Sequence, residues 1–154
     1  MGNLDTDARG LLDNRKIMLV DDSAALRGAL RAILSSLGAG RLTEAGDAGE
    51  AIAALSCESV DLLITDWKME PLDGLALVRA VREGQCAVSS DVPILMLTAY
   101  CDARYEAEAM RAGVTAFIEK PFTPRSLLGG LSAVLATKTR TGEAPVQPDL
   151  AAHA

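Results

Sequence analysis

The chain has 154 residues, 49% hydrophobic and 23% charged, which is one domain's worth of globular composition and enough to bury a single core. A net charge of −6 and a pI near 4.7 disfavour direct nucleic-acid binding, because the phosphate backbone would be repelled. Three cysteines without Cys-x-x-Cys spacing fit a reducing compartment, and no stretch nears the roughly 20 apolar residues of a membrane span, so a cytoplasmic protein without membrane contact is expected.

Residues 1–14 are mostly polar, with Gly2, Gly10 and Asn14, and read as a flexible leader. From Lys16 onward short apolar runs alternate with helical patterns, which predicts a parallel sheet covered on both faces. The first strand is expected at 16–20. The helix after it carries Leu26, Leu30, Ile33, Leu34 and Leu37 on one face, with Arg27 and Arg31 opposite. A weaker strand at 41–45 precedes Asp47, a carboxylate cap with Glu50 three residues on, which opens a helix to about Ser56. The third strand is expected at 60–65, and Asp73 caps the helix that carries Leu75, Val78 and Val81 as far as Gly84. A surface loop over 84–92 leads to a strand at 93–98. Asp102 starts a short helix ended by Gly113, and 114–118 forms the last strand. Thr123-Pro124 is a cap followed by proline at the first helical position, and Leu127, Leu128, Leu131, Val134 and Leu135 make the buried stripe of the final helix. Gly129-Gly130 weakens that helix by roughly 1 kcal/mol per glycine relative to alanine. Residues 138–154 read as a disordered tail.

Four of the apolar runs end on residues suited to phosphate chemistry: Asp21-Asp22, Asp66, Thr98 and Lys120. In an open parallel sheet the carboxyl ends of the strands form the ligand crevice, so three carboxylates, a hydroxyl and an ammonium are expected to meet there. Two carboxylates about 4 Å apart repel by roughly 4 kcal/mol at an effective dielectric of 20, and a third makes a cation or protons necessary. Magnesium fits, since it takes a few carboxylates, several waters and a phosphate oxygen. An aspartate can then accept a phosphoryl group to give an acyl phosphate, with Thr98 donating a hydrogen bond and Lys120 acting as a point charge on its oxygens. Taken singly, an Asp-Asp pair is a turn or cap, a strand-end threonine is a β-former and a lysine is surface decoration. Their joint occurrence at four strand ends is what points to a site.

On Asp21-Asp22, Asp66-Trp67-Lys68-Met69, Asp73-Gly74, Thr98-Ala99 and Lys120-Pro121-Phe122, in order and spacing, residues 15–137 resemble the receiver domain of two-component response regulators. The resemblance implies a flavodoxin-like, doubly wound α/β fold with five parallel strands in the order 2-1-3-4-5. It implies Asp66 as phosphoacceptor, with magnesium held by Asp21, Asp22, Asp66 and the backbone carbonyl of Lys68. It also implies Thr98 and Phe117 as a switch pair. Lys68 and Tyr100, two residues beyond Asp66 and Thr98, are expected to flank the path of a hydrolytic water and to give a long-lived phosphoryl group. Two departures stand out: Glu70 occupies the family's usual proline position, with Pro71 after it, and Phe117 has no hydroxyl to hydrogen-bond as a tyrosine there would.

The expectation is a stand-alone regulator, with no output segment after Thr137, that takes its phosphoryl group from a histidine kinase and signals by binding an unknown protein target through the 102–137 face. A phosphorelay intermediate serving a histidine phosphotransfer protein is the alternative. A magnesium-dependent aspartyl phosphatase is disfavoured, because such enzymes carry an acid/base carboxylate two residues after the nucleophile, where Lys68 stands here. A non-enzymatic signalling role is therefore expected.

Overall fold

The computed structural model describes residues 12–99 and 102–141, with side-chain environments through Ala136. Among these, strands and helices alternate without exception: β1 (Lys16–Val20), α1 (Ala24–Ser36), β2 (Arg41–Ala45), α2 (Ala48–Leu55), β3 (Leu62–Asp66), α3 (Gly74–Arg82), β4 (Ile94–Thr98), α4 (Ala103–Ala112), β5 (Ala116–Glu119) and α5 (Pro124–Thr141). Every strand pairing is parallel and the sheet order is β2-β1-β3-β4-β5, the doubly wound arrangement expected from sequence. The chain reverses its direction of winding between β1 and β3, which opens a crevice at their carboxyl ends.

The central strands are apolar on both faces because helices cover both. On one face Ile17, Leu19, Ile64, Leu95 and Leu97 pack with α1 and α5 through Leu30, Leu34, Leu127 and Leu131. On the other, Met18, Val20, Leu63 and Met96 pack with Leu55 of α2, Leu75 and Val78 of α3 and Ala109 of α4. Side-chain oxygens set the helix starts. Asp47 accepts from the Glu50 amide, Asp73 from the Ala76 amide and Asp102 from the Arg104 and Tyr105 amides. Thr123 and Ser126 cap reciprocally, each hydroxyl accepting from the other's backbone N–H at 3.0 and 2.9 Å.

Several boundaries differ from expectation. β3, β4 and β5 begin one or two residues later than predicted, and Asp66 is the last residue of its strand rather than the first beyond it. Leu12, within the stretch read as leader, is fully buried among Leu34, Leu37 and their neighbours, and Asp13 bridges Ala39. One apolar residue with a ready pocket under the α1–β2 turn outweighs the polar composition around it. The backbone of α5 continues to Thr141, past the expected end of the domain.

Candidate functional site

The sheet's carboxyl edge brings Asp21, Asp22, Asp66, Thr98 and Lys120 into one crevice. Ligand oxygens of Asp21, Asp22 and Asp66 all lie within 4.8 Å of one another. Asp21 is 1% exposed and Asp66 6%, while Asp22 faces solvent, so two of the three carboxylates have little water to stabilise their charge. Lys120 Nζ lies 3.1 Å from Asp66 Oδ1 and 3.4 Å from Asp21 Oδ2, tying the two buried acids together. The Asp66 Oδ1 also accepts from the Trp67 amide at 2.8 Å, and Asp21 Oδ1 accepts from the Ser23 amide at 2.8 Å. One oxygen of each carboxylate is thus oriented by backbone.

Burial raises the Asp66 carboxyl above the usual carboxylate range; the Lys120 ammonium pulls it back and the Asp21 charge pushes it up again. Burial works against the Lys120 ammonium too, but contact with Asp66 and Asp21 outweighs it and holds its pKa above the ordinary value. The cluster is short of positive charge. Its donors are all hard oxygens, with neither thiolate nor imidazole, and an oxygen set of this size and charge suits magnesium.

Beside the acids, a cavity of about 250 Å³ is lined by Asp66, Lys68, Thr98, Ala99 and Lys120. It borders the Asp66 carboxylate and the Lys120 ammonium and has room for a small tetrahedral anion. Lys120 is aimed into the crevice by its backbone, whose N–H donates to the Thr98 carbonyl at 2.8 Å, and the Lys120–Pro121 peptide is cis. The loop after β3 is held by the Gly74 N–H, which donates to the Trp67 carbonyl at 2.7 Å. A Cβ at Gly74 would sit 2.1 Å from the Asp66 carbonyl oxygen, so glycine is needed for α3 to start this close to the acceptor strand.

The remaining expected residues distribute as follows. Phe117 pairs in register with Met96, two residues before Thr98 on the same face of β4, and is partly buried against the α2–α4 core. Tyr100 lies outside the described residues. Two features have no counterpart in the sequence reading. Trp67, 6% exposed, meets Tyr105 of α4 edge-on, with ring centroids 5.4 Å apart at 86°. Arg27 donates to both the Asp21 carbonyl and Glu44 of β2. The signal for the second was the single glutamate in an otherwise half-buried edge strand, opposite two arginines spaced one helical turn apart. An apolar groove of about 640 Å³, lined by Leu26, Ala29, Ile33, Pro121, Phe122 and Pro124, adjoins this smaller cavity and shares Ala99 and Lys120 with it.

A family model described as the response regulator receiver domain matches residues 17–131. A chemotaxis protein CheY homolog of Campylobacter jejuni is 38% identical over 130 residues, covering 84% of this chain and 98% of its own. The chemotaxis protein CheY of Pseudomonas aeruginosa is 37% identical over 112 residues, 73% of this chain and 89% of its own. Among solved structures, Vibrio cholerae CheY4 superposes with a TM-score of 0.72 at 32% identity, covering 79% of this chain and 98% of its own. The receiver domain of a P. aeruginosa sensor histidine kinase, solved with a magnesium ion coordinated in its active-site cleft, gives 0.70 at 27% identity over 80% of this chain and 98% of its own.

Proposed function

The chain belongs to the response regulator receiver domain family, and from that premise we propose that Asp66 accepts a phosphoryl group from the histidine of a kinase or phosphotransfer protein and that the acyl phosphate changes what the protein binds. The observation that carries this reading is the Asp66 carboxylate, 3.1 Å from Lys120 and clustered with two further acids beside a cavity with room for a phosphoryl group. An Asp66 carboxylate oxygen attacks phosphorus, the donor's N–P bond breaks, and the imidazole leaves with the electron pair and takes up a proton. Asp21, Asp22, Asp66 and the Lys68 carbonyl would hold magnesium. When bound, it shields the carboxylates from the incoming phosphoryl oxygens. Lys120, already in place beside Asp66, pairs with one of those oxygens, and the buried Thr98 hydroxyl donates to another.

The apolar groove between α1 and the Pro121–Pro124 turn is a candidate seat for the donor protein, because it shares Ala99 and Lys120 with the cavity beside Asp66. Output leaves by a different face, through α4, β5 and α5. To test the reading, incubate the protein with a small acyl phosphate and record its intact mass with and without a chelator. One phosphoryl group is expected with magnesium. An adduct that survives in Asp66→Ala, or that forms equally well in chelator, would falsify it.

A further inference from the structure

Asp21 and Asp22 differ sharply in how they are held. Asp21 is buried, its carboxylate takes the Ser23 amide and Lys120, and its own N–H donates to the Ala45 carbonyl at 3.1 Å. The Asp22 carboxylate is exposed and has no hydrogen bond among the described residues. What aims Asp22 is therefore its backbone, and the peptide between the two aspartates is gripped at one atom: the Asp21 carbonyl, which accepts from Arg27 Nη1.

Arg27 is itself fixed from behind. Its Nε donates to Glu44 Oε1 at 2.9 Å, and Arg31 occupies the other oxygen, Oε2, at 2.7 Å. The two guanidiniums hold the Glu44 carboxyl below the usual carboxylate range. Glu44 stands on the edge strand β2 opposite Leu19 of β1, on the face that α1 covers, so the arginine spans from the edge of the sheet to the turn after β1. With side chains only 19% and 25% exposed, Arg27 and Glu44 are too enclosed for a freely mobile surface pair.

We propose that Arg27, braced by Glu44, is a positioning residue for the magnesium site: it fixes the Asp21–Asp22 peptide and so presents the Asp22 carboxylate in a coordinating direction. This rests on the reading of the acidic cluster as a magnesium site. The planar fork of arginine is required, since one edge must satisfy a carboxylate and the other a carbonyl at the same time. Outer-shell partners of this kind are worth roughly 10- to 100-fold in metal affinity.

The sign of the effect separates the clamp from simple electrostatics. Deleting a cation near three carboxylates, with nothing else changed, strengthens magnesium binding. Deleting a clamp weakens it. Magnesium alone is titrated into the full chain while the fluorescence of Trp67, its single tryptophan, is followed next to Asp66, in the parent, Arg27→Ala, Arg27→Lys and Glu44→Gln. A Kd about tenfold weaker in both Arg27 variants, a smaller loss in Glu44→Gln, and phosphorylation from a small acyl phosphate that recovers toward the parent rate at saturating magnesium are the expected results. Unchanged or tighter binding in Arg27→Lys overturns the proposal, and so does a phosphorylation defect that saturating magnesium fails to repair. Thermal melts show which variants are folded at the titration temperature; Arg27→Lys retains the charge and the aliphatic stem, so it carries the test if Arg27→Ala unfolds. If the parent neither binds magnesium nor takes a phosphoryl group, it is the functional reading that fails, before the clamp is reached.

Discussion

The residue that defines the site is also the one that strains the fold. Asp66 has a folded pKa above its ordinary value, so the folded protein binds that proton more tightly than the unfolded chain does. The linkage sign follows: stability is fullest below the ordinary carboxylate pKa of about 4 and is lost as pH rises through the folded value. Asp66→Asn, which retains the shape and an acceptor for Lys120, is expected to melt at a higher temperature than the parent at neutral pH without magnesium. The gap should close in acid, and added magnesium should stabilise the parent far more than the variant. Equal melting temperatures at neutral pH would show that the cluster is not under electrostatic strain. A second residue-scale expectation concerns how long the phosphoryl group lasts. Lys68 lines the cavity beside Asp66, and Tyr100 follows Thr98 by two residues in sequence. We propose that Lys68 and, from its position in sequence, Tyr100 obstruct a water approaching in line with the leaving aspartate. Replacing Lys68 with Asn and Tyr100 with Glu should shorten the lifetime, as read from the decay of the phosphorylated mass after the donor is removed; unchanged or slower loss counts against this.

At the scale of elements, adjacent glycines in α5 separate two effects that look alike in sequence. A Cβ on Gly129 would meet nothing within 4 Å, whereas one on Gly130 would lie 2.5 Å from Ile118 Cδ1 and 3.2 Å from Leu95 Cδ1. Gly129→Ala should therefore gain up to about 1 kcal/mol of helix propensity. Gly130→Ala gains the same but pushes Ile118 off its place in the core, a cost of about 1 to 3 kcal/mol, so the two substitutions should shift the urea midpoint in opposite directions. From sequence both glycines read only as weak points in a helix, because the close approach of α5 to β5 exists only once the sheet is assembled. The same limit applies to Arg27, which by periodicity faces away from the buried stripe of α1 and whose partner Glu44 lies seventeen residues further along, on β2. What periodicity and caps carry was legible: the strand order's parallel character, the caps Asp47, Asp73 and Asp102, and which polar residues gather at the strand ends. These depend on local pattern and on one rule of open sheets. Burial of Leu12 was not, since a lone leucine has no period.

For the whole molecule, the proposal is that a charge on Asp66 alters a distant surface. Thr98 and Phe117 share a face of adjacent strands, and Trp67, next to the acceptor, touches Tyr105 on α4, so we propose two routes from the crevice to the same face. To carry a population from 1:99 to 99:1, phosphorylation must favour the active packing by about 5.5 kcal/mol. Charge-assisted hydrogen bonds contribute roughly 1.5 to 3 kcal/mol each, so Thr98 and Lys120 must both engage. Amide shifts induced by beryllofluoride should therefore reach Phe117 and α4 in the parent and shrink toward the loops around Asp66 in Thr98→Ala. If they never leave those loops in the parent, the coupling is wrong. All of this stands on the identity of the phosphoacceptor, which can be read directly. Acyl phosphates are reduced by borohydride to the alcohol, which turns a phosphorylated aspartate into homoserine. Peptide mass mapping after phosphorylation and reduction should find homoserine at position 66, dependent on magnesium, and aspartate unchanged at 21 and 22; homoserine at 21 or 22, or a phosphoryl group on any other side chain with Asp66 intact, would contradict the account.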